Sequence, residues 1–371
     1  VFYRIFLVIT LIFFSGLLDA RVAWLDQFAV DLRIDAANKG IPGFIIVVVE
    51  EGKPNRYYTF GYTRKGGTRI GKDTMFRLAS VSKTFTGTLL AMQQDNPDLK
   101  WNKPLNDLTP QYDFSESKNN PIRLQHVIGQ STGFTPNAYD NVIEAGYERT
   151  RVMSMLADLE PLCEPGRCYT YQNVFFGLLE EYYLSNQTSF EKEIQKAIFD
   201  PLDMEATIGR KKLVESTNWA RPHAAVARNR WREVSVKDTY YKYAGAAGIN
   251  ASAADMAKWL RAMLLEKPSV IDSAIVNEVT APLIETKREL RRRGWRGKLD
   301  SAHYGLGWRV YDYQGVKINH HSGWVQGYRA DVSFSPDLKT GIAFLMNAES
   351  NIINIATPRF WQLKYEQTKA K

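Results

Sequence analysis

Ser80 and Lys83 stand three residues apart in Phe76-Arg-Leu-Ala-Ser-Val-Ser-Lys-Thr-Phe-Thr-Gly87, at the start of an apolar run. Three residues are slightly less than one helical turn, so the two side chains leave the same face and their heads can meet. A serine hydroxyl is a weak nucleophile at neutral pH, and a neighbouring amine whose pKa is lowered by burial can take its proton. The chemistry suggested is acyl transfer through serine. Chance gives about one such spacing in a chain of a few hundred residues, and this chain has three. Ser115-Glu-Ser-Lys118 lies in a polar run that reads as a solvated loop, and Ser189-Phe-Glu-Lys192 reads as a helix start with Ser189 as its cap. Only the first spacing continues into Phe85, Leu89, Leu90 and Met92, so its helix must be buried, and Lys83 with it. A buried lysine needs a partner or a use. The plainer alternative is a cap serine beside a lysine that snorkels to water.

Two further groups of residues bear on that choice. Tyr171-Gln-Asn173 follows Glu164-Pro-Gly166 and runs into the apolar Val174–Leu184, which puts the tyrosine at a turn before a buried helix. His321-Ser-Gly323 precedes a strand-like run, Tyr328–Phe334. The order Ser/Lys, Tyr/Asn, His-x-Gly resembles the penicillin-recognising serine hydrolases, in the branch that holds class C β-lactamases, D-Ala-D-Ala carboxypeptidases, D-aminopeptidases and β-lactamase-like esterases. The resemblance extends through Gly40-Ile-Pro-Gly43, Ile128–Phe134, Pro201-Leu-Asp-Met204, Gly248–Asp255, Tyr304-Gly-Leu-Gly-Trp308 and Leu345-Met-Asn347, nearly the whole chain after residue 20.

The resemblance implies a role for each position. Ser80 is the acylated nucleophile, Lys83 the buried amine beside it, and Tyr171 a phenol whose pKa the nearby cation lowers. Asn173 binds the substrate amide and His321 closes the far wall. The backbone N–H groups of Ser80 and Trp324 form the oxyanion hole, and Gly323 lets substrate approach the strand edge. The third motif departs from the Lys-Thr-Gly of true class C β-lactamases, and His-x-Gly is more typical of the peptidase and esterase relatives. The expected function is therefore hydrolysis through an acyl-serine on D-amino-acid peptides (D-Ala-D-Ala carboxypeptidase-like), lactams or related esters. A carboxylesterase of the same fold and a non-catalytic penicillin-binding or scaffold protein are the alternatives.

Several matches compete with these motifs. A literal Lys339-Thr-Gly341 follows Ser335-Pro-Asp-Leu338, a composition that spells a hairpin turn. Tyr139-Asp-Asn141 has the Tyr-x-Asn spacing, but its surroundings read as loop. Gly129-Gln-Ser-Thr-Gly133 matches the nucleophile elbow of α/β-hydrolases, which needs a strand before it; Leu124, Val127 and Ile128 instead have helical spacing. Ser131 then belongs to a helix C-terminus closed by Gly133. The five histidines are isolated or, at His320 and His321, point to opposite faces of a strand, so no metal site and no cofactor are expected. His320 packs or hydrogen-bonds on the face away from the site.

At the N-terminus, Arg4 precedes fourteen apolar or small residues, Ile5–Leu18, then Asp19-Ala20. This is short for a bilayer span of about twenty residues and suits a secretory signal over 1–20. The chain is then exported, periplasmic or secreted, or membrane-tethered if the segment is not cleaved. In an oxidising compartment Cys163 and Cys168 would close a small disulfide loop just before Tyr171; otherwise they are buried thiols. The net charge of +8 gathers partly in Lys287–Lys298. That cluster reads as a solvated loop, against two functional readings: contact with anionic lipid heads or steering of carboxylate-bearing substrates. No reader motif accompanies it, so nucleic acid is not an expected partner. A small-molecule or peptide substrate (peptidoglycan-type peptide, lactam or ester) is, and the chain is expected to be a monomer.

Strand-like runs cluster early, at Phe44–Val49 and Tyr57–Phe60, and late, at Trp308–Tyr311, Ala330–Phe334 and Gly341–Met346. The middle is mostly helical in pattern. The expected fold is α/β (α+β): an antiparallel sheet flanked by helices, as in the β-lactamase/transpeptidase-like fold. Residues 21–83 plus 300–371 would build the sheet domain, 84–299 an inserted mainly helical domain, and the site would lie at their junction.

Overall fold

Six apolar residues in succession, Phe44-Ile-Ile-Val-Val-Val49, can sit in a strand only if both of its faces are covered. The computed structural model, which describes residues 24–114 and 120–370, shows both covers. The polar Ser115–Lys118 run and the apolar segment 5–18 lie outside the described residues. Eight antiparallel strands form one sheet: β1 (Gly43–Glu50), β2 (Arg56–Gly61), β3 (Ile284–Glu285), β4 (Ser301–Tyr304), β5 (Arg309–Tyr313), β6 (Val316–Val325), β7 (Tyr328–Ser335) and β8 (Thr340–Met346). Their spatial order is β2-β1-β8-β7-β6-β5-β4-β3. The early strand β1 thus lies beside the late strand β8, with Phe44 opposite Met346 and Glu50 opposite Thr340.

Side chains of β1 alternate between two cores, as the period of two requires. Phe44, Ile46 and Val48 pack with Leu25, Phe28 and Leu32 of helix α1 (residues 24–38) and with Phe360 and Trp361 of the C-terminal helix, Ile353–Lys369. Ile45, Val47 and Val49 join Phe85, Leu89 and Leu90 of α2 (Ser82–Met92) on the other face. Between β2 and β3, residues 62–283 carry many of the remaining helices and a three-stranded sheet of Phe76–Arg77, Ile249–Ala251 and Thr207–Ile208.

Helix α2 is buried from Ser82 through Ala91, and that burial fixes the site. Its polar residues are satisfied locally: Thr84 donates to Val81 O at 2.8 Å and Thr86 to Gly245 O at 2.7 Å, while Ser82 Oγ accepts the Ile249 N–H at 3.1 Å. Gly87 lets the helix lie directly on the backbone of Leu306, where a Cβ would overlap the Leu306 carbonyl oxygen. The Lys339-Thr-Gly341 match falls in the β7–β8 hairpin, with Lys339 at φ +48° and its amine paired with Glu51. Ser189 caps its helix through the Lys192 N–H, and Ser131 follows a short helix, Leu124–Ile128, rather than a strand. Among the described residues no helix is long and apolar enough to cross a membrane.

Candidate active site

Ser80 sits in a tight turn, Ala79–Val81, that leads straight into α2. Ala79 is held at φ +50°, a left-handed conformation that costs a non-glycine residue roughly 1–2 kcal/mol. Its neighbours enforce it. Leu78 N–H is tied to Ile249 O at 2.9 Å, and β6 presses from the other side at Gly323. A Cβ there would overlap Leu78 O and stand 3.1 Å from Ser80 N.

Lys83 is fully buried, with Nζ 2.6 Å from Asn173 Oδ1, 3.1 Å from Ala246 O and 3.4 Å from Ser80 Oγ. All three partners are neutral. Burial, with the Arg309 charge adding to it and Asp140 opposing, pulls the amine down to about 7. Asn173 is aimed by Asp140, whose two carboxylate oxygens accept its Nδ2–H at 3.0 and 2.9 Å. Burial raises Asp140 to about 6 against that hydrogen bond and the Lys83 charge.

Tyr171 is carried on a segment docked at both ends. Thr170 N–H donates to Gln130 O at 2.8 Å, and Tyr171 O accepts the Asn137 N–H at 2.7 Å. Cys163 and Cys168 are disulfide-bonded, and the loop they close is fastened by Gly166 N–H to Ser131 O at 2.7 Å. The Tyr171 phenol hydrogen-bonds Ser80, and its ring lies 4.9 Å from Lys83 Nζ. The expected lowering of its pKa is corrected here: burial pushes the phenol up to about 12, because it outweighs both the Arg309 charge and the Ser80 hydrogen bond.

The third wall is β6. Val325 and Tyr328 flank a two-residue hairpin and face each other, which makes them a hydrogen-bonded pair. Counting back, His321 and Gly323 bond to β7, whereas the N–H groups of Ser322 and Trp324 point the other way. On that side the pairing with β5 stops at Arg309 and His320. The Trp324 N–H therefore faces the open edge against which Ser80 N packs. His321 does not line the cleft, contrary to expectation. It is fully buried, with Nδ1–H donating to Ser322 O and Nε2 accepting from Tyr304 O–H, both at 2.9 Å. Burial and the Arg309 and Lys83 charges hold this imidazole well below its ordinary pKa, so it is neutral. His320, on the opposite face, bonds Asp331 at 2.9 Å.

The cleft holds about 730 Å³ and is lined by Ser80, Tyr171, Asn173, Gly323 and Trp324, which is 61% exposed. Sequence reasoning missed Asp140, Arg292 and Arg309 in its wall and Glu289 behind it. Arg309 is 8% exposed, 5.7 Å from the Tyr171 ring and 3.4 Å from Glu289 Oε1, yet its Nε and Nη1 have no hydrogen-bond partner. Arg292 donates to Glu289 Oε2 at 3.1 Å and Ser322 Oγ at 3.3 Å, so the 287–298 cluster is not merely a solvated loop. Burial alone would raise the Glu289 pKa; Arg309, Arg292 and the Tyr311 hydroxyl together hold it at about 2. A signal for Arg309 was available: like Lys83, it interrupts apolar sequence, Trp308-Arg-Val-Tyr311. Among the described residues no group of His, Cys, Asp and Glu could hold a metal ion.

The β-lactamase family model matches residues 20–354. The chain belongs to the β-lactamase family. As a member it is a serine hydrolase with the β-lactamase/transpeptidase-like fold. It is 25% identical to a β-lactamase of Escherichia coli, over 83% of this chain and 84% of that one. It is 26% identical to the unguisins hydrolase ungD of Aspergillus violaceofuscus, over 83% of this chain but only 58% of that protein's length. In structure it is similar to the octameric penicillin-binding protein homologue of Pyrococcus abyssi, with a TM-score of 0.80 at 20% identity over 94% of this chain and 77% of that one.

Proposed function

We propose that this β-lactamase-family hydrolase cleaves D-amino-acid peptides that end in a free carboxylate, in the manner of a D-Ala-D-Ala carboxypeptidase, with lactams and related esters as further acyl donors. The observation that carries the reading is the triangle of Ser80, Lys83 and Tyr171 with the buried guanidinium of Arg309 in the cleft wall beside the tyrosine. With Lys83 near 7 and Tyr171 near 12, the resting site at neutral pH holds an amine poised between its neutral and charged forms and a protonated phenol. Lys83 takes the Ser80 proton as Oγ attacks the acyl carbon, and the oxyanion forms against the N–H groups of Ser80 and Trp324. Tyr171 gives its proton to the leaving nitrogen or oxygen, and the Lys83 ammonium returns a proton to the phenolate. Water then attacks the acyl-Ser80, losing its proton to the same amine, which passes it to Ser80 Oγ as the acyl C–O bond breaks. Arg309, next to the proton donor, attracts the carboxylate of the leaving residue with its charge.

Export belongs to the same proposal. Residues 1–20 would direct it, and the bonded Cys163 and Cys168 support an oxidising destination. Contact with anionic lipid would fall to the exposed Arg288, Arg291, Arg293 and Arg296. The test of substrate class is a kcat/KM panel of acyl-D-Ala-D-Ala, its L-terminal diastereomer and its terminal amide. The free-carboxylate D-peptide should lead by at least about tenfold, and an amide that reacts equally well contradicts the carboxylate role.

A further inference from the structure

Arg77 forms a second cationic pole in the same cleft. It lies on the short strand Phe76–Arg77, three residues before Ser80, and is 4% exposed. Its guanidinium covers the Tyr241 ring at 4.0 Å from the centroid, and Nη1 makes one long bond, 3.4 Å, to the Lys237 carbonyl. Nε and Nη2 have no partner, and among the described residues no carboxylate pairs with this side chain. It lines the cleft together with Lys237, Thr239 and Gln326. A guanidinium keeps its charge in any protein and offers five N–H donors, and leaving it buried with no counter-charge is costly. The acidic lining residues are elsewhere engaged or exposed: Asp140 is held by Asn173, Glu349 accepts the Gly327 N–H, and Glu144 is exposed.

The two poles serve different ends of a substrate. Arg309 adjoins Tyr171, the proton donor to the leaving group, so the acyl portion extends away from it. We infer that Arg77 and Lys237 form a subsite for a carboxylate carried on the acyl portion of the substrate, so that preferred substrates bear an anion on each side of the scissile bond. This rests on the acyl-Ser80 reading above. Exposed Lys237 adds a second positive charge, and Thr239 lines the same cleft.

The test uses two esters with one leaving group, mono-p-nitrophenyl adipate and p-nitrophenyl hexanoate, whose acyl chains match in length and differ by the carboxylate. After subtraction of spontaneous hydrolysis, kcat/KM on the adipate should exceed that on the hexanoate by about tenfold, with the ratio falling as salt rises. Arg77→Gln should bring the ratio close to one. Lys237→Gln, at an exposed position that does not endanger folding, should lower it about threefold. A ratio near one in the native enzyme that neither variant moves overturns the subsite and leaves the acyl-Ser80 reading intact. No turnover of either ester, with no adduct on Ser80, overturns both.

Discussion

On the helical side of the cleft Lys83 meets only neutral oxygens, those of Asn173, Ala246 and Ser80. On the strand side Arg309 meets the Glu289 carboxylate, which Arg292 and Tyr311 also bind. Both cations are buried, and the difference lies in their partners. Without a counter-charge in contact, Lys83 sheds its proton near neutrality and becomes able to accept one; with Glu289 beside it, and by its own chemistry, Arg309 stays charged and can only bind. One cleft thus holds a base and an anchor made from the same class of side chain.

The largest effect should come from erasing that difference. Lys83→Arg places a cation that cannot deprotonate where the neutral amine stands, and acylation measured by stopped flow should fall at least about a thousandfold. A loss under tenfold would mean that the amine is not the proton acceptor. Glu289→Gln removes the counter-charge from the other side, leaving buried Arg309 and half-buried Arg292 without their carboxylate. Denaturant unfolding should show a loss of about 3 kcal/mol, and no change would mean that these guanidinium groups are solvated from the cleft.

The smallest effect sharpens the comparison. Activity requires Lys83 without its proton, so kcat/KM should climb with pH through about 7 and stay level well above it, since Tyr171 keeps its proton to about 12. The Asp140 charge raises the Lys83 pKa. Asp140→Asn should therefore move the rising limb to lower pH, by about one unit. A limb that stays in place would show that Asp140 acts only by orienting Asn173.

The parts of this site legible in the sequence are those whose neighbours along the chain report their burial. Ser80 and Lys83 lie at the head of an apolar helix, and the continuous apolar run of β1 announced a strand. Arg292, Glu289 and Arg309 come together only through the sheet, where Arg309 lies opposite His320 and the preceding turn folds back beneath it. No local pattern records that meeting. Asp140 was obscured for a different reason: its loop-like surroundings hid a short helix, Asp140–Glu144, that delivers its carboxylate to Asn173. His321 shares the site-facing side of its strand with Gly323, but the Tyr171 and Tyr304 rings pack against it and bury it, which alternation along a strand does not record.

The account stands or falls on the identity of the acylated residue. Intact-protein mass should be recorded after reaction with a penicillin and with p-nitrophenyl adipate, for the native chain, Ser80→Ala and Ser131→Ala. The account predicts an acyl adduct, transient or stable, on the native chain and on Ser131→Ala and none on Ser80→Ala. An adduct that survives Ser80→Ala, or one lost only in Ser131→Ala, would contradict it.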